Sequence, residues 1–295
     1  MTESRAKKSQ GFFRQCIELI GLLLLVFLIR TFFFGLYQVP TGSMEVTMLV
    51  GERFLADKFS YWVRKPKVGE IVAFIQPIGR DERPYKFNEN PVIEFFERHV
   101  GFFGFVGPEN WTKRIIAGPG DFIRGTIEDG IAVIYVNDVK ISEPYLNKYP
   151  LIKRTMGLHE RSFDPSLPLN QQPFYKLTPD EVATDFYGNY YLIYPSQVKK
   201  SKTDPALRDD RFRDGSDEFS VKLKNDEYWL MGDNRRGSKD SRFFGPVKQR
   251  DIFARITWLL FSIDSNESWL IIDMLKNPIK FWSKIRPGRN LRQIS

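Results

Sequence analysis

The chain has 295 residues but only one cysteine, Cys16, and two histidines, His99 and His159. A single thiol excludes a disulfide within the chain, and so few thiol and imidazole groups exclude a Cys/His metal cluster. No metal and no other cofactor is therefore expected. The same scarcity constrains catalysis. A serine nucleophile usually passes its proton to histidine, and neither His99 nor His159 stands in a motif-like setting. Serine chemistry in this chain would need a different base.

A nucleic-acid motif is also missing, although 44 Lys and Arg outnumber 36 Asp and Glu and leave a net charge of +8. The basic residues are scattered rather than gathered into a stripe, so the excess suits an anionic membrane surface better than nucleic acid. Disorder of the whole chain is excluded by a hydrophobic content of 42% that includes 15% aromatics.

The first feature present is an apolar run over residues 16–37, interrupted by Glu18 and Arg30 near its two ends. About 20 apolar residues cross a bilayer, and charges near the ends can reach the headgroups. Residues 1–15 are polar and carry Arg5, Lys7, Lys8 and Arg14, which predicts a cytoplasmic tail with the remainder outside. The rival reading is a cleavable signal peptide with its apolar part at 17–29. The bulky Thr31-Phe32-Phe33-Phe34-Gly35 stands where a small-x-small cleavage site would be needed, so an uncleaved single-pass anchor is favoured.

Beyond the run the pattern turns to strands. Residues 53–59 and 70–75 are separated by Pro66 and Gly69. Residues 131–136, a turn at Asn137-Asp138 and residues 139–142 read as a hairpin, and 227–231 and 252–260 as further strands. Many short strands with Gly and Pro turns predict a mainly β domain, barrel-like or sandwich-like.

Three short stretches carry candidate chemistry. The first is Val39-Pro40-Thr41-Gly42-Ser43-Met44-Glu45-Val46-Thr47-Met48, in which Pro40 and Gly42 turn the chain and present Ser43. The second is Trp111-Thr112-Lys113-Arg114-Ile115-Ile116-Ala117-Gly118-Pro119-Gly120-Asp121. Its Lys113 has apolar neighbours, and burial there would favour the neutral amine. Strand alternation would send Arg114 to the other face. The third is Met231-Gly232-Asp233-Asn234-Arg235-Arg236-Gly237-Ser238-Lys239-Asp240-Ser241-Arg242. Singly, each has a plain reading as a turn, a solvated strand edge or a loop. In this order, after an apolar segment, the set resembles the type I signal (leader) peptidases, membrane-bound Ser/Lys endopeptidases.

The resemblance implies Ser43 as nucleophile, Lys113 as general base, and Thr41 with the Ser43 N–H as the oxyanion site. It further implies that Ser238 hydrogen-bonds the lysine, and that Asp240 and Arg242 form an ion pair beneath the site. Asp233 and Asn234 are read as turn-forming and loop-bracing. The implied substrates are secretory preproteins with small residues at the first and third positions before the cut. The implied setting is the bacterial inner membrane, in contact with phospholipid and not nucleic acid. The expected architecture is an N-terminal transmembrane helix followed by a catalytic β core at 38–142 and 222–264. That core would carry an inserted subdomain at 143–221 and end in a basic tail at 265–295.

Some residues depart from the family pattern. Val46 stands where the family commonly has proline, Gly118 where it tends to have leucine, and Glu70 replaces aspartate in a Gly-Asp-Ile-Val strand entry. Residues 84–107, with Phe95, Phe96, Phe102, Phe103 and Phe105, read either as a packed insertion or as a membrane-touching loop. The tail reads equally as an amphipathic surface helix or a cap on the β domain. Two other functions fit part of the pattern. A self-cleaving Ser/Lys regulator would carry a nucleic-acid-binding region, and none is visible. An inactive membrane-anchored β scaffold would have no need of Ser43, Lys113, Ser238 and Asp240 together.

Overall fold

The computed structural model describes residues 2–45, 47–77, 86–99, 109–128, 131–147, 217–263, 270–276 and 278–294. Helix α1 runs Thr2–Phe32. Its stretch Phe13–Phe32 has a mean hydropathy of 2.0 and is only 6% buried, long and apolar enough to cross a membrane.

The expected anchor at 16–37 divides at its end. The helix stops at Phe32, and Phe34–Gln38 forms strand β1, paired antiparallel with β2, Arg53–Asp57. Hydropathy alone does not separate a buried strand from a helix, and Gly35 is a poor helix former. A Cβ at position 35 would also collide with the Tyr37 ring. Lys58 closes the junction. Its backbone N–H bonds Phe33 O at 2.9 Å, and its ammonium donates to Arg30 O and Thr31 O at 3.1 and 3.2 Å. These are carbonyls that a helix end leaves without partners.

The remaining strands are β3 (Ile71–Ile75), β4 (Asn110–Ala117), β5 (Phe122–Glu128), β6 (Ile131–Val136), β7 (Val139–Lys140), β8 (Phe219–Lys222), β9 (Glu227–Met231), β10 (Val247–Lys248), β11 (Ile252–Phe261) and β12 (Arg292–Gln293). They form two antiparallel sheets. The larger has the order β1-β2-β11-β3-β4-β9-β10, with β12 added to β11, and the smaller has the order β7-β6-β5-β8. The turn between β6 and β7 uses positive φ at Asn137 and Asp138, the conformation of a tight hairpin.

β3 is buried along its whole length, which is why it reads as an unbroken apolar run. Ile71 and Ala73 pack with Met44, Met48, Phe54, Ile256 and Leu259 on one side. Val72 and Phe74 pack with Ile115, Tyr228, Leu230 and Phe244 on the other. A third cluster, including Ile116, Ile123, Val221, Trp229 and Met231, joins the two sheets.

Three expected boundaries change. The core reaches into both described flanks of the proposed insert 143–221: Tyr145 packs on the third cluster, and β8 pairs with β5. Single apolar residues alternating with polar ones gave these flanks a loop-like composition. Residues 148–216 lie outside the described residues. The basic tail also belongs partly to the core. After two short helices, Leu270–Lys276 and Pro278–Ser283, Ile285 bridges to Ile263, β12 pairs with β11, and Ile294 is 5% exposed. Of 84–107, residues 86–99 are described. Helix Pro91–His99 sets the Phe95 ring 6.3 Å from Phe32 and pairs Arg98 with Asp251 at 2.6 Å, leaving Val92, Ile93 and Phe96 exposed.

If 285–294 completes the core, Ile294→Ala should lower the unfolding free energy by about 2–5 kcal/mol. Leu275→Ala, on a side chain that is 72% exposed, should change it by less than about 0.5 kcal/mol. Denaturant unfolding of the solubilised protein measures both, and equally small effects would remove the C-terminal segment from the core.

Candidate active site

Ser43 sits on a single 3-10 turn, Gly42–Met44, entered from an extended Thr41 with φ −134 and ψ 157. Met44 and Met48 are buried in the core cluster, while Ser43 is partly exposed. The turn therefore hangs from its methionines and offers the serine to the surface. Asn234 ties it down from across the fold. Its N–H donates to Ser43 O at 3.1 Å and its Nδ2 to Gly42 O at 2.9 Å.

Strand β4 supplies the amine. Pairing of Lys113 with Val72 and of Arg114 with Ile71 sends the two cations to opposite faces. Lys113 is only 3% exposed. Its Nζ is hydrogen-bonded to Ser43 Oγ at 2.8 Å and donates to Thr112 O at 3.1 Å. The Trp111 ring centroid lies 5.4 Å away. Burial is the main reason that its pKa falls to about 8; Asp240 and Asp233 pull upward against it, and Arg242 helps to lower it.

Neither carboxylate is free to hold the lysine charged, because each already has an arginine. Arg114 grips Asp233 in a fully buried fork at 2.9 and 2.8 Å and donates to Gly69 O at 2.8 Å. Thr47 Oγ1 donates to the same carboxylate at 2.5 Å. Arg242 grips Asp240 through Nε and Nη2, each at 2.9 Å. It also reaches Asp217 at 2.6 Å and Arg235 O at 2.7 Å. Burial would lower the Arg242 pKa, but Asp240 and Asp217 raise it. Burial would raise the Asp240 pKa, but Arg242 and the Gly232 N–H at 3.0 Å lower it. Asp240 also caps the short helix Ser241–Phe244 by accepting from Arg242 N–H.

The structure thus brings Ser43 and Lys113 together and places the Asp240–Arg242 pair behind them. Thr41 flanks the turn with an exposed side chain. Ser238 differs from the expectation. It is fully buried, yet its Oγ meets hydrogen-bond geometry with no described group, although the hydroxyl still favours an ionised Asp240. The lysine takes Ser43 and the Thr112 carbonyl instead. A Cβ on Gly232 would overlap both Ser238 and the Ser43 carbonyl oxygen, so Ser238 and the Ser43 turn both lie close against the Gly232 backbone. Residues not anticipated from sequence are Asp217, Thr47, Glu143, which pairs with Arg235, and Asn147, whose N–H and Nδ2 reach Asp233 O and Asn234 Oδ1. Thr47 lies in the first motif but carried no assigned role, and the other three stand outside all three motifs.

A serine on a β domain, hydrogen-bonded to a buried amine, suits the class of serine hydrolases that use an amine as base. Comparison with known proteins narrows it: residues 13–261 match the family described as signal peptidase, peptidase S26, and the chain belongs to that family of serine peptidases. Among its relatives is signal peptidase I of Buchnera aphidicola subsp. Acyrthosiphon pisum, 25% identical over 273 residues, spanning 90% of this chain and 80% of the relative. Signal peptidase I of Aquifex aeolicus is 28% identical over 253 residues, 84% of each chain. Signal peptidase I of Haemophilus influenzae is 24% identical over 269 residues, 84% of this chain and 69% of the relative.

The close approach at Gly232 gives a test. Gly232→Ala should force the third motif away from the Ser43 turn. A stability loss of about 1–3 kcal/mol is expected from overpacking, with kcat/KM down about a hundredfold through displacement of the reacting groups. Turnover at the wild-type level in Gly232→Ala would show that this contact does not set the site.

Proposed function

We propose that the chain is a membrane-anchored signal peptidase that cuts signal peptides from exported preproteins with a Ser/Lys dyad. The observation that carries this reading is the 2.8 Å contact between Ser43 Oγ and a lysine amine that is 3% exposed. With Lys113 neutral, the Ser43 hydroxyl donates its proton to Nζ while Oγ attacks the scissile carbonyl carbon. The oxyanion so formed is held by the Ser43 N–H and the Thr41 hydroxyl. The Lys113 ammonium then gives its proton to the departing amine, leaving an ester on Ser43. Lys113 next takes a proton from a water whose oxygen attacks the ester carbon. As the ester C–O bond breaks, the Lys113 ammonium returns the proton to Ser43 Oγ and the signal peptide leaves with a new C-terminal carboxyl group.

An ammonium has three donors, and Ser43 and the Thr112 carbonyl take two of them. Ser238, buried and without a described partner, supplies an acceptor for the third in the charged intermediate. Asp240 and Arg242 keep that loop in place. Membership in the signal peptidase family supports exported preproteins as substrates, and the proposed specificity is for small side chains at the first and third positions before the cut. Such a peptide would dock extended, as an added strand.

α1 serves as a single-pass anchor in the bacterial inner membrane, its basic start in the cytoplasm and the β domain outside. Exposed Trp62 and Val63, with the Trp62 ring 6.0 Å from Phe32 at the helix end, would rest against phospholipid. The substrate's apolar segment then lies in the same bilayer as the enzyme.

Cleavage of a preprotein by the solubilised enzyme tests the dyad. Ser43→Ala should abolish turnover. Lys113→Arg, which keeps the charge and cannot deprotonate, should lower kcat by about 10²–10⁴-fold. For the wild type, kcat/KM should rise as pH passes through about 8, because the reactive species is the deprotonated Lys113. A folded, active Lys113→Arg would refute the dyad.

A further inference from the structure

The C-terminal segment, basic and unremarkable in sequence, sends three arginines back onto the loop that follows Ser43. Arg289 and Arg292 both donate through Nη2 to the Thr47 carbonyl, at 3.1 and 2.9 Å. Arg286 donates to the Val50 carbonyl at 3.1 Å. Arg289 also grips Glu52 at 2.5 and 3.1 Å. That carboxylate is 0% exposed and collects the Leu49 N–H at 2.8 Å and the Ser262 hydroxyl at 2.7 Å.

Thr47 is therefore held from two sides: by the arginines at its carbonyl, and by Asp233 at its hydroxyl. Asp233 is the partner of Arg114, the residue next to Lys113. The adjoining Met48 N–H donates to Met44 O at 2.9 Å, so the grip passes to the residue directly after the nucleophile. Position 46 is valine, which lacks the fixed φ that a proline would give. Charge-assisted bonds, about twice as strong as neutral ones, restrain the loop from outside instead.

We infer that Arg289 and Arg292 are positioning residues for the nucleophile: by holding the Thr47 carbonyl they keep Ser43 in register with Lys113. This rests on Ser43 and Lys113 acting as proposed above. The C-terminal strand would then be part of the catalytic apparatus as well as the closing piece of the sheet.

The test compares kcat, KM and Tm for preprotein cleavage by the full-length solubilised protein. Arg292→Met should lower kcat about ten- to a hundredfold while KM stays within about twofold, as expected when productive geometry is lost and ground-state binding is kept. Arg292→Lys, which can donate to the same carbonyl, should recover most of kcat. Arg289→Met also strips Glu52 of a partner and can fail to fold, so Arg292 alone decides the matter. Arg250→Gln, on an exposed side chain, should behave as wild type. The inference is overturned if folded Arg292→Met turns over at the wild-type kcat, or if its loss follows Tm and Arg292→Lys restores nothing. Ser43→Ala in the same assay separates the two ideas. An active Ser43→Ala sinks the dyad, whereas an inactive one beside a fully active Arg292→Met sinks only the role of the arginines.

Discussion

Everything in this site depends on keeping one lysine amine buried without giving it a counter-ion of its own. Lys113 lies among apolar side chains of the large sheet, and burial disfavours its charged form. Bringing a lysine from ~10.4 to about 8 corresponds to about 3 kcal/mol against the ammonium. Two carboxylates are near enough to cancel that effect. They do not, because Asp233 is committed to Arg114 and Asp240 to Arg242. Removing either arginine would release a buried negative charge toward Lys113, which would tend to hold the amine protonated and unable to act as a base. The ion pairs are thus electrostatic insulation as well as struts.

The same pairs organise the fold around the serine. A buried ion pair is weak evidence for stability, since desolvation consumes much of the attraction, but it fixes geometry strongly. Arg114 joins β4 to the third motif and to Gly69, and Arg242 joins that motif to Asp217 ahead of β8. Asn234 hydrogen-bonds the backbone of the Ser43 turn, and Gly232 lets the two backbones approach where any side chain would intervene. Three regions far apart in the chain thereby converge on one hydroxyl. The sheet brings them close, and buried polar contacts set the final register.

How much of this was legible depended on whether a residue's role was local. Strands β2, β3, β6, β9 and β11 could be read because alternation or unbroken apolar runs are properties of a few adjacent residues. The Ser43, Lys113 and Asp240 motifs were readable for the same reason. β1 was not, because an apolar run bound for a sheet looks like one bound for a membrane helix. β12 and β8 were missed because short strands with few inward apolar residues, such as Phe219 in β8 and Ile294 just after β12, gain their structure from distant partners. The arginines at 286, 289 and 292 carried no assigned partners in a tail that read equally as a surface helix or a cap on the β domain. Only the folded chain shows that their partners are Glu52 and the carbonyls of Thr47 and Val50. Ser238 is buried beside Gly232, and its role in holding the charged lysine remains a proposal.

The central claim, that burial brings the Lys113 pKa down to about 8 and so makes the neutral amine accessible, is open to a direct titration. With lysines labelled at the ε carbon and the amine nitrogen, the Lys113 resonance can be assigned by its disappearance in Lys113→Met and followed through alkaline pH in the solubilised enzyme. The account predicts a midpoint of about 8, well below the ~10.4 of an exposed lysine. It also predicts a rise in that midpoint when Arg242→Met frees Asp240. A wild-type midpoint near ~10.4 would contradict the account, since Lys113 would then be a structural cation.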